Sequence, residues 1–325
     1  MTWLQEYDAA RSDAAFYPRT DLGFVCAEGE DRVRYLHGMV SNDVKGLAPG
    51  KWILASMLSH KGKLVAPFLL GNIDDRLWLL VEEVARKSLV ESLQKFVVRD
   101  DVHILDRSES FRIITLLGPK SGEILCSILK MKDFGSAGDF RTWSVDGHSV
   151  YGYVAAQPLS SSVHVVCPSQ ESDRLLKQME EKGAQRLGAQ AFEAIRIEAG
   201  VPEFGKDVNE DRLLLEVPYL EKGVSYTKGC YVGQETVARL HSRGENVAYR
   251  LMGLAAEEEM TPVSKLLSNG KEVGRITSVC ISPRLGKPLG MGMVHRSAFE
   301  PGTSVTIVSG DRSFPGTVVS LPLPL

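Results

Sequence analysis

The chain has 325 residues, 43% hydrophobic and 24% charged, with 38 basic against 41 acidic side chains and a net charge of −3. That length allows two or three domains with sizeable cores. The charge balance excludes a globally basic field of the kind that draws nucleic acid, so no direct nucleic-acid partner is expected.

Residues 2–15 read as a short surface helix, and Leu22–Ala27 as the first strand. Asp31 is a plausible N-cap for a helix that places Val33, Leu36, His37 and Val40 on one face. Strand-like runs follow at Trp52–Leu58, Leu64–Ile73 and Leu77–Glu82, then a helix over Val84–Val97 and a strand at Val102–Leu105. The order then repeats. Phe111–Leu117 is a strand, Gly122–Leu129 a helix, Arg141–Val145, Ser149–Ala155 and Val163–Cys167 strands, and Glu171–Lys182 a helix. Two similar α+β units with antiparallel sheets packed by helices are therefore expected.

Phe192–Ala199 reads as a helix ending at Gly200, and residues 201–227 as loop-rich. Beyond Asn246 the character changes to short strands punctuated by Gly, Pro and Asn: Tyr249–Leu254, Lys271–Ser282, Gly290–Val294, Ser304–Val308 and Gly316–Leu321. That spacing predicts a small C-terminal β-barrel. The expected domains are 1–105, 106–245 and 246–325.

One stretch stands apart chemically, Lys228-Gly-Cys-Tyr-Val-Gly-Gln-Glu235. A hydrophobic core does not call for this mixture. Its glycines permit a sharp turn or the close approach of a ligand. Cys230 precedes a helix expected to start at Gly233, with Lys228 two residues upstream, and both features favour thiolate over thiol. A Gly-rich turn around an inert buried cysteine fits the bare residues equally well.

Four other features carry less. Glu198 in Arg196-Ile-Glu-Ala-Gly200 sits at the unfavourable end of a helix dipole, and alone reads as an exposed Glu paired with Arg196. Glu216, in the apolar run Leu213–Val217, is either aimed inward at a hydrogen-bonding partner or a loop-rim residue. Ser41-Asn42-Asp43-Val44 reads as helix-terminating turn chemistry rather than as the lining of a cleft. Gly286–Gly292 lacks phosphate-loop and dinucleotide spacings and reads as barrel turns.

The seven histidines are scattered and the five cysteines (Cys26, Cys126, Cys167, Cys230, Cys280) are widely spaced, so no metal site is expected. The cysteine pattern points to a reducing compartment. The acidic N-terminal segment does not read as a targeting peptide, and no apolar run approaches the roughly 20 residues that cross a bilayer. A cytoplasmic protein with no membrane partner is expected.

With these residues in view, the chain resembles the YgfZ family of folate-binding proteins, in the superfamily of the glycine-cleavage T-protein (aminomethyltransferase). The segment Lys228–Glu235 matches the family's K-G-C-Y-x-G-Q-E signature in full. Supporting matches are Leu36–Val44, Arg196–Gly205, Asp207, Val237-Ala238-Arg239, Arg250–Leu254 and Val273–Ser278, so the likeness spans roughly residues 20–320.

The resemblance implies three lobes around a folate site, with tetrahydrofolate or a one-carbon derivative as cofactor. It implies a role in assembly or repair of iron–sulfur enzymes, tRNA-modifying ones included, and such client enzymes as partners. It makes Cys230 the functional thiol and Lys228 its electrostatic partner. Glu198 becomes the acid that reads the pterin edge, Phe204 a stacking residue where many T-proteins carry Tyr, and Glu216 a second pterin-facing acid. Gln234 and Arg250 complete the folate-facing set.

Two departures argue against glycine cleavage itself. T-proteins carry a catalytic Asp after a glycine-containing turn, whereas Gly62-Lys-Leu-Val-Ala-Pro67 has no acid. T-proteins also lack the cysteine. A tetrahydrofolate-dependent aminomethyltransferase or demethylase is the alternative expectation.

Overall fold

The structure, a computed structural model, describes residues 2–145, 147–155, 162–244 and 246–324. The chain falls into two units. One takes Met1–Ser59, Val65–Gly188 and Gly223–Val232, the other His60–Leu64, Ala189–Lys222 and Gly233–Leu325.

The first unit contains, in order, α1 (Trp3–Ser12), β1 (Ala15–Arg19), β2 (Leu22–Glu28), α2 (Arg32–Met39), β3 (Lys51–Leu58), β4 (Leu64–Ile73), β5 (Arg76–Glu82), α3 (Glu83–Lys95), β6 (His103–Asp106), β7 (Phe111–Leu117), α4 (Ser121–Leu129), β8 (Phe140–Val145), β9 (His148–Val154), β10 (Ser162–Pro168), α5 (Ser172–Glu181) and β11 (Gln185–Arg186). A capping box starts α1, Thr2 and Gln5 each bonding the other's backbone N–H. Asp31 stands at the N-cap of α2, but its carboxylate accepts from the Asp101 amide instead of capping the helix.

The strands form two sheets, ordered β3-β4-β5-β2-β6 and β11-β1-β7-β10-β9-β8. The repeat is real. In each half an opening strand is followed by a helix, three strands and a second helix. The halves differ at one place. In the first sheet the closing strand β6 pairs directly with β2. In the second, β1 lies between, antiparallel to β7 and parallel to β11. The sequence conceals this strand because Pro18, paired opposite Ile114, argues against a strand with neighbours on both sides.

Successive residues of a strand face opposite ways. Phe24 and Cys26 of β2 thus join Trp78, Phe140, Tyr151, Tyr153 and Val166 in a core built from both sheets. Phe24 stacks on Trp78 at 4.5 Å, and the buried Tyr153 hydroxyl donates to the Trp78 carbonyl at 3.1 Å. On the outer face of the second sheet, α4 and α5 add Leu125, Ile128, Leu175 and Met179 to a separate core.

The second unit contains α6 (Ala189–Glu198), a 3-10 turn at Leu214–Glu216, α7 (Pro218–Glu221), α8 (Gln234–Ser242) and six strands: β12 (Tyr249–Ala256), β13 (Lys265–Ser268), β14 (Lys271–Ser282), β15 (Lys287–His295), β16 (Ser304–Ser309) and β17 (Arg312–Val319). The strands close a barrel in the order β12-β15-β14-β13-β16-β17. The short β13 and the placement of β17 around Pro315 differ from the sequence reading. Gly290 and Gly292 lie within β15, as the strand expected at Gly290–Val294 has them, and Gly286 stands in the turn before it. A Cβ at Gly292 would stand 2.3 Å from the Arg275 carbonyl, so only glycine admits the strand contact there.

The same logic gives a test in the first unit. A Cβ at Gly71 would stand 2.3 Å from the Phe140 ring, which is fully buried against Tyr153. Gly71→Ala should cost about 1–3 kcal/mol through overpacking, read as a lower melting temperature. An unchanged melt would show that the ring has room to yield.

Candidate functional site

Lys228 joins two sequence motifs of the first unit. Its ammonium donates to the carbonyls of His37, of Val40 at 2.7 Å and of Asn42 at 3.0 Å. His37 lies in the last turn of α2 and Val40 is its C-cap, so the cation also meets the negative end of that helix. The Tyr231 ring covers it at 4.8 Å from the ring centre. Burial pulls the ammonium down to about 8, with Asp43 opposing and Lys45 adding to the shift.

The Ser41–Asp43 turn is the other half of this joint. The fully buried Ser41 donates its hydroxyl to the Gly223 carbonyl at 2.6 Å and accepts from the Ser56 amide at 2.9 Å. Its backbone carbonyl accepts from the Ser225 amide, and the Asn42 amide group donates to the Leu54 carbonyl. The turn therefore ends a helix, as expected, and also docks residues 223–228.

Cys230 follows on this braced segment and is the exposed member of the five free cysteines. The others differ in kind. Burial pushes the Cys26, Cys167 and Cys280 thiols up to about 12, and raises Cys126. Such thiols are poor nucleophiles at neutral pH. Among the described residues, no group of three His, Cys, Asp or Glu side chains could hold a metal ion.

The second unit is organised on Arg196, whose five N–H bonds are all used. They reach both Glu193 carboxylate oxygens (3.0 and 2.7 Å), the Val201 carbonyl (2.8 Å), Asp207 (2.6 Å) and the Ser278 hydroxyl (2.8 Å). Burial works against the guanidinium's charge, and Glu193 and Asp207 outweigh it, so its pKa is raised. The second Asp207 oxygen lies 2.6 Å from both the Thr277 and Ser278 hydroxyls. Adjacent residues of a regular strand face opposite ways. Here the β14–β15 register shifts between Ile276 and Ser278, and this bulge lets both hydroxyls meet one carboxylate.

Glu198 is fully buried, not exposed, and the five N–H donors of Arg196 go to other acceptors. One carboxylate oxygen accepts from the Ser282 hydroxyl at 2.6 Å and the Arg284 amide at 3.3 Å. Glu216 points inward, its carboxylate accepting from the Leu213 amide at 3.2 Å, and burial raises its pKa. Phe204 is buried in the tight 203–208 turn. Gln234 opens α8, and Arg250 lies over the Phe299 ring at 5.3 Å. In the acid-free stretch, Lys63 pairs with Asp211 at 2.9 Å and the Leu64 amide donates to the Arg212 carbonyl, which sets residues 63 and 64 beside the segment leading to Glu216 within the second unit. Sequence reasoning matched Asp207, Thr277 and Ser278 without giving them a role. Their signal was an adjacent hydroxyl pair flanked by Ile276 and Val279.

Comparisons with known proteins agree with this architecture. Residues 1–220 match the family model described as the GCVT N-terminal domain, and 250–323 the glycine cleavage T-protein C-terminal barrel domain. A mitochondrial aminomethyltransferase of Flaveria anomala is 28% identical, covering 93% of this chain and 78% of the relative. An Arabidopsis thaliana chloroplastic protein described as a putative transferase is 25% identical over 92% of this chain and 69% of its own. The crystal structure of glycine cleavage system aminomethyltransferase T from Bartonella henselae superposes with a TM-score of 0.88 at 18% identity, over 99% of this chain and 89% of that one, and shows the shared fold.

The Lys228 joint predicts two outcomes. Lys228→Met orphans three carbonyls at about 1–3 kcal/mol each when buried, so amide hydrogen exchange across 223–232 should accelerate at least about tenfold. Between about 8 and the ordinary 10.5, the unfolded chain keeps a proton that the native Lys228 has lost. The wild-type unfolding free energy, relative to Lys228→Met, should therefore rise with pH across that window. A flat or falling difference would contradict the buried ammonium.

Proposed function

The chain belongs to the glycine-cleavage T-protein family, and from that membership we propose that it binds a reduced folate and supports assembly or repair of iron–sulfur enzymes through Cys230. Within the family this is the YgfZ-type reading, with tRNA-modifying enzymes among the clients. The observation that carries it is the exposure of Cys230, alone among five cysteines, on a segment that Lys228 and Ser41 hold in place.

The donor set fits tetrahydrofolate. A pterin edge offers amino and ring N–H groups, and Glu198 and Glu216 are inward-set carboxylates, the residue type that accepts such donors. Phe204 supplies an apolar wall, Gln234 an amide and Arg250 a cation for the same ligand. When bound, tetrahydrofolate supplies nitrogen atoms that carry a one-carbon unit. Cys230 supplies a sulfur nucleophile accessible to a partner. One thiolate does not hold a cluster, which ordinarily needs four such ligands, so a resident cluster is not part of the proposal. Lys228 acts on Cys230 by fixing its loop.

A second reading, a tetrahydrofolate-dependent aminomethyltransferase or demethylase, draws support from relatives described as aminomethyltransferases that align over more than nine-tenths of the chain. The stretch at residues 62–67 favours the first reading, because it has no carboxylate to act as a base.

Complementation of a null strain separates the two. Cys230→Ala should fold normally, still bind tetrahydrofolate, and fail to restore iron–sulfur enzyme activity. Full rescue by this variant would remove the proposal. Methylene-tetrahydrofolate production from a methylamine-type donor that survives loss of Cys230 would establish the transferase reading.

A further inference from the structure

Helix α6 is fastened to strand β14 at two points. Arg196 reaches Ser278 and Glu198 reaches Ser282. The two helix residues lie about 200° apart around the axis, and the two strand residues roughly 13 Å apart along β14. Contacts so separated fix both the rotation and the axial position of the helix end. Both serines are fully buried.

The Ser282 contact has a defined polarity. Its oxygen accepts from the Leu285 amide at 3.1 Å, so its single proton is directed to the Glu198 oxygen 2.6 Å away. The Arg284 amide reaches the same oxygen, while its guanidinium turns to the carbonyls of Leu323 and Pro324. The Leu323 amide closes the arrangement on the Glu198 carbonyl at 2.8 Å. Backbone and side chain of Glu198 are thus both tied to the turn after β14 and to the C-terminal segment.

We propose that Ser282 is a positioning residue for folate recognition, orienting the Glu198 carboxylate toward the pterin. Ser278, Asp207 and Arg196 form the distal fastening that keeps the helix end in register. This rests on the reading that Glu198 receives the pterin edge. Ser282 does not itself touch the ligand.

The test is a double-mutant cycle read by calorimetric titration with tetrahydrofolate, each variant first checked by thermal melting. Ser282→Ala should weaken binding about tenfold, the scale of one hydrogen bond to a charged group. Ser282→Thr, which keeps the hydroxyl, should restore most of that. Glu198→Gln should weaken binding at least as much, and Glu198→Gln/Ser282→Ala no further than Glu198→Gln alone. Should Ser282→Ala fail to fold, Ser282→Cys keeps the volume with a weaker donor and enters the same cycle. Losses that add in the double variant, or no loss in Ser282→Ala, would overturn the positioning role. Absence of binding by the wild type would overturn the folate reading instead.

Discussion

A single ammonium group placed against backbone carbonyls holds the most distinctive segment of this protein. Lys228 spends its donors on His37, Val40 and Asn42, nearly two hundred residues earlier in the chain. These acceptors are main-chain groups at a helix end and carry no formal charge. The joint is therefore directional, but it does not cancel the charge, and the half-buried ammonium is held well below its ordinary pKa. A segment that carries an exposed thiol is thus pinned by a group whose own proton is easily lost.

The second unit solves the same mechanical problem with a different cation. Arg196 is always charged and offers a rigid fork of donors, and it is buried among Glu193, Asp207, Ser278 and a carbonyl that use every one of them. Removing any partner of so complete a network leaves a buried polar group unmatched. The arrangement locks the end of α6 to the barrel wall and delivers Glu198 to a fixed place. Lysine at a titratable joint and arginine at a permanent one are opposite choices, and each suits its setting.

Much of this was legible in the residues. Hydrophobic periodicity placed β2 through β5 and their mates β7 through β10, and the repeat followed from their order. The rapid alternation of short strands and turns after Asn246 announced the barrel. What escaped had physical reasons. β1 contains a proline and borrows its neighbours from β7 and β11, both far along the chain, so nothing local marks it. Glu198 looked exposed because helix-end position says nothing about which side meets the barrel. The Thr277 bulge depends on pairing with β15 and has no signature within β14. The roles of Ser41 and Asn42 were hidden because the same residues suit a common helix-ending turn, and only the docked segment from 223 onward shows their second use.

Lys228 stands protonated yet half-buried against three carbonyls. Nitrogen NMR of the native protein, with the lysine amines followed as a function of pH, tests it most directly. The account predicts one slowly exchanging ammonium signal, assigned to Lys228, titrating near a pKa of about 8. A Lys228 signal that exchanges freely and titrates near its ordinary 10.5 would contradict it.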